Sequence, residues 1–196
     1  MPDDATSQKD FEIVRQVIDG EVNAFESLLV KYRDPVFHMV SKHIPHGQVE
    51  EVAHDVFVRA YQSLPSFKYR SSFKQWLFAI AIRSCYDFWR KAYRTRELPL
   101  SSLTENDQRW LEEALADQSS QANYKENAQK EARELLNWAL NRLSAKDRMV
   151  LELVYLDGCS HKETADLLGW SIAKVKVRSF RSRKKLRKLL TGMVKT

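Results

Sequence analysis

The stretch from Ser160 to Leu190, SHKETADLLGWSIAKVKVRSFRSRKKLRKLL, decides how the rest of the chain is interpreted. Ser160 stands three residues before Glu163, which is the spacing of a capping box. In a capping box the hydroxyl accepts a hydrogen bond from the Glu163 amide, and the carboxylate accepts one from the Ser160 amide. The spacing therefore predicts that a helix begins at Ser160.

A second helix is predicted directly after a tight turn. Ala165 is small enough for two helices to cross closely, and Gly169 supplies the left-handed backbone that a connecting turn needs. Together with Val175 they fill the three sterically restricted positions of a helix-turn-helix. Ser171 is the predicted N-cap of the second helix. The residues predicted to supply the buried side are Leu167, Leu168 and Ile172.

This second helix carries a run of positive charge. No acidic residue occurs between Ile172 and Leu190, so no ion pair within the helix can neutralise it. A cationic helix with a capped N-terminus suits the DNA major groove, where early residues reach base edges and later ones contact phosphates. A charge run alone is more often a solvated surface, but the helix-turn-helix spacing favours DNA binding.

The composition is that of a globular, moderately basic protein. The chain has 196 residues, 43% of them hydrophobic, with a net charge of +6, which is enough for one large or two small cores. Cys85 and Cys159 are too few and too far apart for a disulfide framework or a zinc site. No long apolar run or signal sequence occurs, so we expect a cytoplasmic protein without membrane insertion.

No enzyme activity, metal or cofactor is expected. The best argument for an enzyme is a loose group of histidines whose spacing fits no standard metal site, namely His38, His43, His46 and His54. The chain contains no glycine-rich phosphate loop, no nucleophile motif and no paired inward carboxylates.

Hydrophobic periodicity predicts helices throughout the N-terminal half. A short helix is predicted over residues 11–18, followed by a second from Val22 to His43 that Pro35 should kink or split. A third is predicted from Val49 to Leu64, with an acidic exposed side. That side is either a solubilising face or a docking surface for a positively charged partner, and the sequence leaves the two equal.

A fourth helix, predicted from Phe73 to about Arg96 with Ser72 as its cap, interleaves aromatic and basic residues. Aromatic rings beside cations are the means by which proteins hold unstacked bases, at about 1–3 kcal/mol per base. Most of these rings are expected in the core. The candidates for a stacking role are Trp76, Tyr86 and Trp89.

The helical pattern fades over residues 98–127, where acidic residues outnumber basic ones and Ser, Asn and Gln are frequent. This composition predicts a flexible acidic linker between residues 1–97 and residues 128–196. Helical spacing resumes at 132–143, and Ser144 with Asp147 predicts a further capped helix. Because no strand pattern appears, the predicted fold is all-α, with two small helical domains joined by the flexible acidic linker, the C-terminal one a helix-turn-helix domain.

In the order of these parts the chain resembles the extracytoplasmic-function sigma factors of bacterial RNA polymerase, over nearly its whole length. Residues 49–91, VEEVAHDVFVRAYQSLPSFKYRSSFKQWLFAIAIRSCYDFWRK, are similar to the signature of the family's first domain. Residues 140–186, LNRLSAKDRMVLELVYLDGCSHKETADLLGWSIAKVKVRSFRSRKKL, are similar to that of its second domain. The combination is far more specific than either part.

The resemblance implies three binding surfaces. The residues implied to dock on the β′ clamp of core RNA polymerase are Glu51, Asp55, Val58 and Arg59. Those implied to contact and help melt the promoter −10 element are Arg70, Lys74, Trp76, Arg83, Tyr86, Arg90 and Lys91. Those implied to bind the −35 element are Ser171, Lys174, Lys176, Arg178, Phe180, Arg181, Arg183 and Lys184.

The resemblance also implies the partners: core RNA polymerase through its β′ clamp and β subunit, promoter DNA, and an inhibitory anti-sigma factor. The chain departs from the family pattern at Ile82-Arg83, where Arg-Asn is frequent, and at Val177, where Ser is frequent. These departures put the promoter sequence in doubt rather than the class of activity. The rival interpretation is a helix-turn-helix regulator whose N-terminal domain senses a ligand.

Overall fold

A computed structural model describes residues 3–95, 135–136 and 138–193, and it contains helices and no strand within them. Residues 138–141 are also helical. The bounds of the main helices are α1 Asp3–Ile18, α2 Phe25–His43, α3 Val49–Ser63, α4 Phe73–Thr95, α5 Ala145–Leu151, α6 His161–Leu168 and α7 Ile172–Met193, with a π-helical segment at Glu152–Leu156. The predicted all-α fold is confirmed.

The first four helices form an N-terminal domain in which α2, α3 and α4 pack against one another. Its core residues recur at helical spacing, so each helix buries one stripe. Among the most deeply buried are Leu28, Val36, Val56, Leu77 and Ile82.

Helix α1 begins at Asp3, well before the predicted start at residue 11. Residues 3–10 show no apolar periodicity, so the periodic pattern places the start of the helix too late. Buried Asp10 ties α1 to α2, because it accepts hydrogen bonds from Lys31 and, at 2.5 Å, from the Tyr32 hydroxyl.

Pro35 does not split α2, which is a single helix from Phe25 to His43. The missing amide costs one backbone hydrogen bond. Close packing on both sides of the proline compensates, since Tyr32 and Val36 are 5% and 0% exposed. The preceding residues Val22–Ala24 form a separate 3₁₀ turn rather than the first turn of α2.

Helix α4 agrees closely with its prediction. The Ser72 hydroxyl accepts a hydrogen bond from the Gln75 amide at 3.2 Å, and the Gln75 side chain accepts one from the Ser72 amide at 3.3 Å. This reciprocal cap is why the helix begins at Phe73.

The C-terminal domain contains α5, the π-helical segment, α6 and α7. Ser144 caps α5 as predicted, because its hydroxyl accepts from the Asp147 amide at 3.3 Å. Met149, Val150 and Leu153 are buried in the core. The predicted linker at residues 98–127 lies outside the described residues.

The two domains pack against each other, which the sequence does not predict. Helix α4 contacts both α5 and α6, and one continuous core includes Leu77, Cys85 and Trp89 together with Met149 and Ala165. The physical reason is that α4 has apolar residues on more than one face, so packing on α2 and α3 leaves a second apolar face that the C-terminal domain buries. None of the described helices has the length and hydropathy to cross a bilayer.

Candidate nucleic-acid interface

The helix-turn-helix forms at α6 and α7 through the local signals that predicted it. The Ser160 hydroxyl accepts from the Glu163 amide at 3.1 Å, and the Glu163 carboxylate accepts from the Ser160 amide at 2.8 Å, which confirms the capping box. Gly169 ends α6 with a φ of 68°, and the Ser171 hydroxyl accepts from the Lys174 amide at 3.2 Å at the start of α7.

The crossing of the two helices is tight where the sequence predicts it. Ala165 and Val175 are 2% and 0% exposed. Leu168 is buried and Leu167 half-buried, but Ile172 is exposed, so its predicted burial is wrong. Ile172 is the first residue of α7, and the first buried residue of that helix is Val175. We call α7 the recognition helix.

Asp147 holds the recognition helix against α5. Its buried carboxylate accepts hydrogen bonds from Arg178 at 2.9 Å, Ser182 at 2.8 Å and Lys185 at 2.8 Å. Burial alone would raise the pKa of Asp147, but Lys185, Ser182, Arg178 and Ser144 lower it to about 2. The carboxylate is therefore ionised over the whole physiological range of pH.

This network changes how Arg178 is understood. The sequence assigns it to DNA, whereas the structure gives its guanidinium a buried partner within the domain. Lys174 also lies near a protein group, with Nζ 4.2 Å from the centre of the Trp170 ring, and it stays exposed. The other predicted −35 residues are exposed along the helix: Ser171, Lys176, Phe180, Arg181, Arg183 and Lys184.

The aromatic and basic residues of α4 fall into two groups. Near the start of the helix, Trp76 is half-buried against Phe67 and Phe73, with ring centres 5.0 and 5.6 Å away. Lys74 lies over Phe78, and Arg70 is exposed in the preceding loop. This end of α4 keeps cations beside rings that are partly open to solvent, as predicted.

The middle of α4 faces the C-terminal domain. Arg83 donates hydrogen bonds from Nε to the carbonyl of Leu167 at 3.1 Å and from Nη2 to that of Asp166 at 3.3 Å. These carbonyls lie in the last turn of α6, where backbone acceptors lack partners within the helix and the dipole attracts cations. Tyr86 meets Trp170 edge to face, with ring centres 6.0 Å apart.

Trp89 is not available to stack on a base in this arrangement. Its ring is 4% exposed, and its Nε1 donates to the His43 carbonyl at 2.9 Å. The Arg148 guanidinium lies 3.6 Å from the ring centre and so covers it from the C-terminal domain. Its neighbours Arg90 and Lys91 are exposed, and Arg90 pairs with Asp87 at 3.2 Å.

A buried ionic cluster joins the two domains at His43. Its Nδ1 lies 2.8 Å from Oε2 of Glu152, and its Nε2 lies 3.1 Å from Oδ2 of Asp157, at ion-pair distance but without hydrogen-bond alignment. Arg148 pairs with the other oxygen of Glu152 at 2.7 Å. Burial alone would lower the pKa of His43, but Asp157 and Glu152 raise it to about 9.

The sequence does not predict this cluster, because no short-range pattern along the chain indicates it. His43 and Glu152 are 109 residues apart, and each occurs in an otherwise ordinary helical pattern. Within the described residues, no group of three or more His, Cys, Asp or Glu side chains is arranged so that it could hold a metal ion.

Cys85 lies buried in α4 close to the same cluster. Burial raises the pKa of its thiol well above the usual range, and the negative charge of Glu152 raises it further. Cys159 is half-buried, and burial raises its pKa as well.

A groove of about 1080 Å³ lies between α3 and α4. Its lining includes all four predicted docking residues, Glu51, Asp55, Val58 and Arg59, together with Arg90 and Lys91 from the predicted −10 set. Arg59 pairs with Asp55 within α3 at 2.7 Å. It also bridges to α4 by pairing with Asp87 at 2.9 Å. Val58 presents an exposed apolar side chain to the groove.

Comparison with known families finds two matching domain models. The model of Sigma-70 region 2 matches residues 28–95, and the model of Sigma-70 region 4 matches residues 133–186. The first match spans α2 to α4, including the groove, and the second spans the helix-turn-helix as far as Leu186.

Two curated relatives resemble the chain over most of its length. It is 30% identical to the ECF RNA polymerase sigma-E factor of Escherichia coli strain K12, over 87% of this chain and 88% of the relative. It is 25% identical to the RNA polymerase sigma-H factor of Pseudomonas aeruginosa, over 97% and 98% of the two chains.

Two solved structures have a similar fold. CnrH in complex with the cytosolic domain of CnrY matches with a TM-score of 0.51 and 26% identity, covering 92% of this chain and 96% of CnrH. The sigma factor RpoE of Bartonella quintana, in complex with the anti-sigma factor NepR, matches with a TM-score of 0.50 and 22% identity, covering 85% and 96%.

Proposed function

The chain belongs to the extracytoplasmic-function sigma factors, and from this premise we propose how its surfaces divide the work of transcription initiation. It is an alternative sigma factor that binds core RNA polymerase and directs initiation at specific promoters, under the control of an anti-sigma factor. We place its action in the cytoplasm, where promoter DNA and polymerase meet, and assign it no catalytic step of its own.

The observation that carries the proposal is the presence of two different nucleic-acid-type surfaces on two domains. One is an exposed cationic helix in a helix-turn-helix, and the other is a helix that sets cations beside aromatic rings. A regulator with a sensor domain needs only the first. The proposed division runs from residues 1–97, through a linker at 98–127, to residues 128–196.

The groove between α3 and α4 is the proposed docking site for the β′ clamp. The carboxylates of Glu51 and Asp55 give the groove negative charge. Val58, in the same lining, adds an exposed apolar side chain. Because Arg59 already pairs with Asp55 and Asp87, its proposed role is to set the spacing of the two helices. An anti-sigma factor that occupied this groove would block the same contact.

Promoter melting is assigned to the start of α4, with Arg70, Lys74 and Trp76 as the groups already open to solvent. Arg83 and Tyr86 belong to the same proposed surface, but they contact α6 and Trp170 in the described arrangement. Their use on DNA therefore requires that the C-terminal domain move away from α4.

Upstream recognition is assigned to the exposed side of α7. Arg181 and Lys184 are both exposed near the middle of the helix, where Arg181 belongs to the first half, the part that enters a major groove, and Lys184 follows it by one turn. Arg178 is instead proposed to position the helix, because its guanidinium is held by Asp147.

The first test measures binding to core polymerase and promoter-specific transcription in vitro. Val58→Glu should abolish comigration with core polymerase, because it places a charge at the apolar part of the groove. The double change Arg181→Ala with Lys184→Ala should keep comigration and lose upstream recognition. Lys9→Ala, an exposed cation on α1, is the matched control and should leave both unchanged.

Loss of polymerase affinity in the Arg181 and Lys184 variant would contradict the division of labour between the domains. Tight sequence-specific binding by the free chain, with no effect of core polymerase, would instead support the helix-turn-helix regulator.

A further inference from the structure

We propose that Ala173, Val177 and Phe180 form an apolar strip on the recognition helix that reads thymine methyl groups in the upstream promoter element. This inference rests on the proposed function, and it names the base chemistry that the helix recognises. Ala173 and Val177 are absent from the residues that the sequence assigns to DNA.

The strip lies on the outward face of α7. Its members are four and three residues apart, which at about 100° per residue puts them on one side of the helix. Val177 and Phe180 are 51% and 63% exposed, and Ala173 is exposed as well. The opposite side is the buried one, formed by Val175, Ser179 and Ser182.

Positive charges run along both edges of the strip. Lys174 and Arg181 follow one edge, and Lys176 and Arg183 follow the other, all of them exposed. No acidic residue occurs anywhere in α7. The surface is therefore an apolar line between two cationic rows.

This pattern matches the cross-section of a DNA major groove. The groove is about 12 Å wide, its two walls carry phosphates, and the one apolar group on its floor is the C5 methyl of thymine. Cations on both edges would contact the two walls while the apolar line faces the floor. A protein partner would have to supply negative charge on both sides of an apolar ridge, so the observations favour DNA.

Some of the polar side chains that the sequence assigns to base recognition on this helix already contact groups within the protein. Arg178 is held by Asp147 at 2.9 Å, and Lys174 lies 4.2 Å from the centre of the Trp170 ring. An exposed phenylalanine also costs free energy in the unbound protein, and clustered exposed apolar side chains usually mark an interaction site. Apolar contact should therefore carry a large share of the base discrimination.

The test removes the methyl group alone. The holoenzyme, assembled from this chain and core RNA polymerase, first selects an upstream element from a random library. Each selected thymine is then replaced by deoxyuridine, which has the same hydrogen-bonding groups and lacks only the methyl. Replacement of a contacted thymine should weaken binding about fourfold, from the transfer free energy of one buried methyl-sized group.

A matched set of variants ties the effect to the strip. Val177→Ser should reduce the effect of one methyl to near unity and leave the others unchanged, and Phe180→Ala should do the same at a neighbouring base. Both positions are exposed, so the melting temperature of the free chain should not change. Lys188→Ala, in an exposed cation farther along α7, should weaken all templates equally and lower the salt dependence.

The outcomes separate this inference from the proposed function. A holoenzyme that initiates specifically but tolerates deoxyuridine at every position overturns the thymine proposal and leaves the sigma function intact. A chain that never supports specific initiation overturns the proposed function itself. If Val177→Ser lowers affinity for a protein partner and leaves the thymine effect in place, the strip is a protein contact and the proposal is wrong.

Discussion

Asp147 shows how one side chain sets the position of a whole DNA-reading helix. Its carboxylate is 0% exposed and accepts from three residues of α7 that span two turns. Because a buried acceptor with several donors is costly to disrupt, the orientation of α7 on α5 depends on this residue more than on any surface cation.

Asp147→Asn should lower the free energy of unfolding by about 1–3 kcal/mol, since the amide cannot accept from all three donors. Lys185→Ala should cost less than about 1 kcal/mol, because the lysine is more than half exposed and its ion pair is screened by solvent. Urea unfolding measures both. Equal losses would show that the carboxylate contributes only through Lys185.

The low pKa of the Asp147 carboxylate predicts how far the pH can fall before the protein loses this contribution to its stability. Its folded-state pKa of about 2 is below the ordinary value of 3.8, so its contribution is complete above pH 3.8 and is lost as the pH falls toward 2.

At the scale of elements, the turn between α6 and α7 joins the two domains as well as the two helices. Gly169 has a φ of 68°, which disfavours any side chain, and a Cβ there would lie 3.2 Å from Nη2 of Arg83. Gly158, which follows the π-helical segment, has a φ of 70° and open space where its Cβ would be. Substitution of either glycine therefore introduces backbone strain, but only substitution of Gly169 also affects the contact with Arg83.

Both Gly169→Ala and Gly158→Ala should cost about 1 kcal/mol from the left-handed backbone. Gly169→Ala should cost more, because a Cβ 3.2 Å from Nη2 requires the Arg83 guanidinium to shift by a few tenths of an ångström against its carbonyl acceptors. In an Arg83→Ala background the two losses should become equal. Thermal unfolding of the two glycine variants, of Arg83→Ala and of the two double variants measures this, and an unchanged difference in that background would contradict the contact.

Local signals predict most of the elements and few of the contacts between them. Ser160, Ser72 and Gly169 act within four residues along the chain, so the ends of α4 and α6 were predictable. Trp89 shows the opposite case. Its aromatic and basic setting suits base stacking, but its burial depends on Arg148, which is distant along the chain and carries no periodic signal that links the two.

Pro35 and Ile172 are intermediate cases. Proline disfavours a helix interior, yet packing of Tyr32 and Val36 overrides it in α2. Ile172 has the right type for a core position, but it is 44% exposed and precedes Val175, the first buried residue of α7, which only the three-dimensional arrangement reveals.

At the scale of the molecule, the domain interface combines an apolar core with a few polar ties. Arg83 binds the end of α6, Arg148 covers Trp89, and His43 lies between Glu152 and Asp157. The His43 tie is the one whose charge changes near neutral pH. The groups facing it are the carboxylates of Glu152 and Asp157, with Arg148 beyond Glu152.

Packing of the two domains should therefore weaken as the pH rises. The pKa of His43 is about 9 in the packed state and about 6.5 when exposed. Its contribution is complete below pH 6.5 and is lost as the pH rises through 9, by roughly 3 kcal/mol in total. Unfolding free energies measured between pH 6.5 and 9 should fall accordingly.

His43→Gln keeps a hydrogen-bonding side chain and removes the titration, so its stability should be nearly constant over the same range. A variant with the same slope as the unchanged chain would place the pH dependence on another group.

The rate at which alkylating reagents label the buried thiol of Cys85 reports on the same interface. A thiol reacts with alkylating reagents as its thiolate, and both burial and the charge of Glu152 suppress that form. The rate of labelling, divided by the rate in the unfolded chain, then gives the fraction of molecules that have opened around α4. A protein that stabilises the packed domains should lower the labelling rate of Cys85, and one that separates them should raise it.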